Sequence, residues 1–128
     1  MKWIYMIVLT ATVAVSACKK EDSGADNVII TFTEPEENDT VFSWNQVHME
    51  GTVTGDGTMR GYTLSAINSS TGEVVYTTTY DVQAKAYNFH EHWINNLQDT
   101  TTVIVRMDVL KDVAGNHEVR ERIVVCLP

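Results

Sequence analysis

Hydrophobic and polar residues alternate along most of this chain with a period of two. The alternation begins at Val28 and continues to Leu127, and within it Val and Thr are far more common than Leu. Successive side chains of a β-strand point to opposite faces, so this period predicts half-buried strands rather than helices. We therefore expect the body of the protein to be all-β.

Seven strands are predicted within this body. They cover residues 28–33, 46–54, 60–68, 73–80, 88–94, 101–110 and 118–127. Turn-forming residues lie between them, including a Ser-Ser-Thr-Gly turn after the third strand and an Asp-Val-Ala-Gly-Asn turn before the last. About seven short strands in roughly 100 residues are typical of an antiparallel Ig-like β-sandwich, which we expect to form from residues 28–128.

The N-terminal residues follow a different pattern. Lys2 precedes a run from Trp3 to Val15 that is apolar except for two threonines. A membrane-spanning helix needs about 20 apolar residues, so the run is too short to cross a bilayer. It has the length of the apolar core of a secretory signal peptide. We expect residues 1–17 to be an export signal.

The end of this run, Val15-Ser16-Ala17-Cys18, resembles the lipobox of bacterial lipoproteins. The resemblance implies cleavage before Cys18 and acylation of its thiol, and several acyl chains together give a stable membrane anchor. Residues 18–27 are mostly polar without periodicity, which predicts a flexible tether. Residues 19–22 resemble the charged export tract of Bacteroidota surface lipoproteins, and Cys18 is not followed by Asp. We therefore expect the outer membrane, with its periplasmic and surface faces both left open.

Dividing the chain at Cys18 changes the meaning of its composition. The 44% hydrophobic content includes the export signal, whereas the acidic excess lies in the mature part. Without Lys2, eight Lys and Arg face 17 Asp and Glu, a formal charge near −9. Nucleic-acid binding requires clustered Lys and Arg, so nucleic acid is not an expected partner.

Residues 28–126 resemble the Ig-like modules of bacterial cell-surface proteins. The shared features are a Glu-Pro and acidic turn after the first strand, a second strand broken by Gly51 and Gly55, and the hairpin turn before the last strand. Residues 90–125, which begin with His-Glu-His, also resemble an uncharacterised family of His-containing Bacteroidota lipoproteins. These resemblances imply a fold and an envelope location, and no particular activity.

Four residues on two predicted strands could bind a transition-metal ion. His90 and His92 are two positions apart and therefore share a strand face, which points to solvent because the aromatic residues beside them are better core candidates. His48 and Glu50 share the outer face of the second strand by the same argument. The second and fifth strands pair in an Ig-like sandwich, so all four would share one surface. Imidazole and carboxylate suit Zn²⁺ or Cu²⁺. A polar outer face without a bound ion is the alternative.

Other candidate chemistry is weaker. Exposed aromatic rings could bind a glycan, and the candidates are Trp44, Tyr62, Tyr76, Tyr80, Tyr87 and Trp93. Cys126 lies in an apolar strand and is expected to be a buried, unreactive thiol. No Gly-x-Ser-x-Gly nucleophile motif, phosphate loop or dinucleotide motif occurs.

The sequence therefore favours a non-enzymatic, lipid-anchored Ig-like module, without a required cofactor, that binds another cell-envelope protein. One alternative is a metal-binding lipoprotein that uses His48, His90 and His92, with Glu50 as a fourth ligand. A second alternative is a glycan-binding surface module.

Overall fold

A computed structural model describes residues 23–128 and contains eight strands. Their bounds are β1 Val28–Glu34, β2 Asp39–Val41, β3 Gln46–Met59, β4 Gly61–Asn68, β5 Val74–Tyr80, β6 Ala84–Ile94, β7 Thr101–Leu110 and β8 His117–Cys126. Within this range there is no helix that could cross a membrane. The export signal and the lipidation expected at Cys18 lie outside the described residues.

The strands form two sheets. The small sheet has the order β1-β3-β6, and the large sheet has the order β2-β8-β7-β4-β5. All neighbouring strands are antiparallel except β2 and β8, which run parallel. The all-β sandwich predicted from the two-residue period is confirmed.

The core lies between the sheets and follows the predicted alternation. On β7 the side chains of Val103, Val105, Met107 and Val109 are fully buried, whereas the residues between them are partly exposed. Burying a side chain of this size contributes roughly 1.5–3 kcal/mol, so the alternation fixes which face of each strand turns inward. The small sheet supplies Val47, Met49, Val53, Phe89 and Trp93 to the same core.

Three features of the strand pattern differ from the sequence prediction, and the first is that β6 begins at Ala84 rather than at residue 88. β2 was not predicted, because three residues are too few to show a period, and its pairing depends on β8, far away in the chain. The second predicted strand was expected to stop at Gly55, yet β3 continues to Met59 through an irregularity in its pairing with β6. The two glycines there mark this bulge rather than a turn.

The segment just before β1 is docked on the domain. Ala25 is 2% exposed, and its amide donates a 2.9 Å hydrogen bond to the carbonyl of Lys111. A carboxylate oxygen of Asp56 accepts hydrogen bonds from the amides of Asp26 and Asn27. The tether expected over residues 18–27 is therefore shorter at its domain end, because residues 24–27 have partners in the sandwich.

Candidate metal-binding site

The register of β3 and β6 places the four predicted ligands on one surface. His48 pairs with His92, and Glu50 pairs with His90. The residues that alternate with them are buried, apart from the half-buried Glu91, so the four side chains lie on the outer face of the small sheet. The predicted pairing of the second and fifth sequence strands, now β3 and β6, is confirmed.

Gly51 brings this part of the two strands together. A Cβ atom on Gly51 would lie 2.0 Å from the carbonyl oxygen of Thr31 and 2.6 Å from Cζ of Phe89. Only a residue without a side chain fits here, where the rings of Phe32 and Phe89 pack edge to face with centroids 5.5 Å apart. Gly51 is followed along the pairing by Glu50 and His90, which are its neighbours in the two strands. Their side chains therefore lie next to each other on the outer face.

Three of the four predicted ligands converge. Oε1 of Glu50 lies 3.1 Å from Nε2 of His90 and 3.9 Å from Nδ1 of His48. The ligand atoms of these three residues all lie within 4.8 Å of one another. Two donors that each bind Zn²⁺ at about 2.0–2.2 Å in a tetrahedral site are about 3.3–3.6 Å apart. Small side-chain rotations would therefore bring all three donors onto one ion.

His48 offers a donor atom that is not otherwise used. Its Nδ1 is buried and has no hydrogen-bond partner among the described residues. Buried polar atoms in native proteins nearly always have a partner, so an unsatisfied nitrogen 3.9 Å from a carboxylate oxygen calls for an explanation. A cation between His48 and Glu50 would satisfy it.

His92 lies beside this group and not within it. The ring centroids of His90 and His92 are each 6.3 Å from that of His48, but His92 has no ligand atom in the converging group. All four predicted ligands therefore lie on one surface, as the sequence predicts. Only three of them converge, namely His48, Glu50 and His90. His92 is a neighbour that contacts the edge of the site.

Glu91, between the two histidines of β6, points inward. It accepts hydrogen bonds from the hydroxyls of Tyr76, at 3.2 Å, and of Tyr80. Both tyrosines belong to β5, the edge strand of the large sheet. Burial, followed by the charge of Glu91, raises the pKa of Tyr76, whereas the hydrogen bond to Glu91 is the main cause of the raised pKa of Tyr80. In the sequence, this link between β6 and β5 is indicated by the charge of Glu91 at a position where the alternation predicts an inward side chain.

The described aromatic residues named as glycan-binding candidates are divided between the core and the surface. Tyr62 and Trp93 are buried, and Tyr62 stacks on Tyr87 with centroids 5.2 Å apart. Trp44 is 71% exposed and Tyr80 is 41% exposed. They lie at opposite ends of the sandwich, since Trp44 precedes the first residue of β3 and Tyr80 pairs with Tyr62 near the start of β4.

The remaining predicted residues behave as separate features. Cys126 is fully buried, and burial raises the pKa of its thiol to about 11, which agrees with an unreactive core residue. His117 is on the large sheet, where its Nδ1 lies 2.6 Å from a carboxylate oxygen of Asp108. His117 therefore lies apart from the three converging donors on the small sheet.

Comparison with known proteins bears on the fold alone. No family model matches this sequence, and no curated protein matches it. Among solved structures, this chain is similar to Spo0M, a sporulation control protein from Bacillus subtilis, with a TM-score of 0.53 and 15% identity. The match covers 82% of this chain and 50% of that one. At this identity the likeness shows a shared β-sandwich architecture.

Proposed function

We propose that this protein is a non-enzymatic, lipid-anchored module of the bacterial outer membrane whose Ig-like domain binds a divalent transition-metal ion. The ligands are His48, Glu50 and His90, and the ion is Zn²⁺ or Cu²⁺. The observation that carries the proposal is the convergence of two imidazoles and one carboxylate within 4.8 Å on paired strands. The anchor rests on the Val-Ser-Ala-Cys sequence that ends at Cys18.

The chemistry of the donor set favours these ions. Imidazole nitrogen is a good ligand for Zn²⁺ and Cu²⁺, whereas Ca²⁺ and Mg²⁺ prefer sites made of oxygen. The chain has a formal net charge of −8, which raises the local concentration of cations near its surface. Because the ligands come from two strands, the site forms only when the sandwich is folded.

Calorimetric titration of the full chain with Zn²⁺ and Cu²⁺ tests this proposal. We expect one ion per chain, and His48→Ala or His90→Ala should weaken binding at least about tenfold, since each removes a direct ligand. His117→Ala is the matched control, because His117 is also a partly exposed histidine beside a carboxylate. Absence of binding to the unaltered chain, or an equal loss in the control, would contradict the metal site.

A second candidate function is contact with another envelope protein through one end of the sandwich. Phe42, Trp44 and Ile94 are 59%, 71% and 46% exposed at the end where β3 begins. Trp44 adopts a left-handed backbone conformation with φ of 65°, which is unfavourable for a bulky residue. The end carrying Val28 is the opposite one, because Val28 pairs with Gly55. These apolar residues therefore lie at the end of the sandwich opposite to the one where the chain from Cys18 enters.

Site-specific photocrosslinking in intact cells tests this contact. A crosslinker at position 44 should give a discrete adduct that is lost when Phe42 is replaced by Ala. The matched position is Ile29, which is 66% exposed on the opposite end of the small sheet. Identical adducts from both positions, or none from position 44, would argue against a docking role for this end.

A further inference from the structure

A polar hollow adjoins the candidate metal site on the outer face of the small sheet. Its volume is about 290 Å³, and Glu50 and His90 form part of its wall. The rest of the wall includes Thr33, Thr52 and Asn88. Since one water occupies about 30 Å³ of liquid, the hollow has room for a small molecule beside the ion.

The hollow lies on the side of the site away from His92. Along the paired strands the order is His48 with His92, then Glu50 with His90, then Thr52 with Asn88. Three protein ligands leave at least one position of a tetrahedral ion for an external ligand, the arrangement that distinguishes open zinc sites from closed ones. The hollow gives that position access to a ligand.

The charges of the site determine which ligand would fit. A divalent ion bound by one carboxylate and two neutral imidazoles retains one positive charge. Among the described residues that line the hollow, the only ionisable side chains are those of Glu50 and His90. The hydroxyls of Thr33 and Thr52 and the amide of Asn88 can donate hydrogen bonds. Without an ion, Glu50 would repel an anion.

We propose that the metal-loaded site binds a small monoanionic carboxylate, with one carboxylate oxygen on the ion and the remainder of the molecule in the hollow. This inference rests on the proposed metal site. It adds that the external ligand is a carboxylate, which binds only after the metal ion has bound.

The visible spectrum of Co²⁺ tests the proposal, because its absorption bands respond to the number and type of ligands. The full chain is loaded with one equivalent of Co²⁺ and titrated with acetate, or with the uncharged analogue acetamide, at constant ionic strength. We expect acetate to change the bands saturably without releasing the ion, and acetamide to leave them unchanged.

A variant that fills the hollow provides the second arm. Asn88→Leu should weaken acetate binding about tenfold while leaving Co²⁺ affinity unchanged. Ala86→Leu is the matched control, because Ala86 is exposed two residues earlier on the same face of β6 and does not line the hollow.

The outcomes separate this inference from the metal site itself. If Co²⁺ gives protein-dependent bands that acetate does not alter, the metal site stands and the carboxylate proposal is wrong. The same conclusion follows if acetamide acts like acetate, if acetate strips the ion, or if both leucine variants behave alike. If no Co²⁺ bands form before acetate is added, the proposed metal site fails.

Discussion

Glu50 and His90 face each other across the antiparallel pair β3 and β6, with Oε1 of one 3.1 Å from Nε2 of the other. Glu50 also lies 3.9 Å from Nδ1 of His48, so the carboxylate is the member of the group that approaches both histidines. This arrangement makes Glu50 the centre of the proposed metal site.

Because Glu50 approaches both histidines, we expect its replacement to reduce Zn²⁺ affinity more than replacement of His92. Glu50→Gln removes the anionic ligand while keeping its size, and we expect Zn²⁺ affinity to fall at least about tenfold. His92→Ala should change the affinity by less than about threefold, because His92 is not among the converging ligands. Calorimetric titration measures both. A larger loss in His92→Ala than in Glu50→Gln would show that the ion lies nearer to His92.

The link between Glu91 and the tyrosines of β5 predicts a stability effect. Glu91→Ala leaves the partly buried hydroxyl of Tyr76 without its acceptor, which typically costs about 1–3 kcal/mol. Urea unfolding measures the free energy of unfolding. Glu73→Ala is the control, because Glu73 is exposed in the turn before β5. Equal stabilities of the two variants would mean that the link contributes nothing.

Tyr87 predicts a loss of stability in alkali. Burial, followed by the charge of Tyr62, raises the pKa of Tyr87 well above the ordinary tyrosine value of about 10. The unfolded chain loses this proton first, so stability should fall as the pH rises above about 10 and continue to fall until the folded-state pKa is reached.

Tyr87→Phe tests this assignment. The hydroxyl of Tyr87 is buried and has no hydrogen-bond partner among residues 23–128, so its removal should be neutral or slightly stabilising at pH 7. The variant should also lose less stability than the unaltered chain between pH 9 and 11 when thermal unfolding is followed. An unchanged alkaline slope would show that other groups determine it.

Asp56 is expected to hold the segment before β1 on the domain, because its carboxylate accepts hydrogen bonds from that segment. Hydrogen bonds from Asn27 lower the pKa of the Asp56 carboxyl, so the contact should persist at neutral pH and weaken as the pH falls through the folded-state pKa. Asp56→Ala should speed hydrogen exchange at the amide of Asn27, which donates to this carboxylate. Asp26→Ala is the control, because Asp26 uses its backbone amide for the contact. Equal exchange rates would contradict the role of Asp56.

The shared surface of the site was predictable from sequence because it depends on rigid geometry. Alternation along a strand fixes the faces of His48, Glu50 and His90, and pairing of the two strands then brings those faces together. The convergence of three donors rather than four was not predictable. It depends on the offset between β3 and β6 and on side-chain rotations, which alternation does not determine.

The parts of the fold that the sequence missed depend on distant partners. β2 exists because residues 39–41 pair with β8, and the inward carboxylate of Glu91 is explained by tyrosines of another sheet. The extension of β3 past Gly55 follows from close packing. A Cβ on Gly57 would lie 2.0 Å from the carbonyl oxygen of Gly24. Glycine at this position therefore allows the backbone of residue 24 to pack against β3, and it does not mark a turn.

A crystal structure of the zinc-loaded protein, with an anomalous difference map at the zinc absorption edge, tests the metal site most directly. The account predicts one strong peak about 2.0–2.2 Å from Nδ1 of His48, an Oε atom of Glu50 and Nε2 of His90. A peak at His117 and Asp108 instead, or no peak on the outer face of the small sheet, would contradict it.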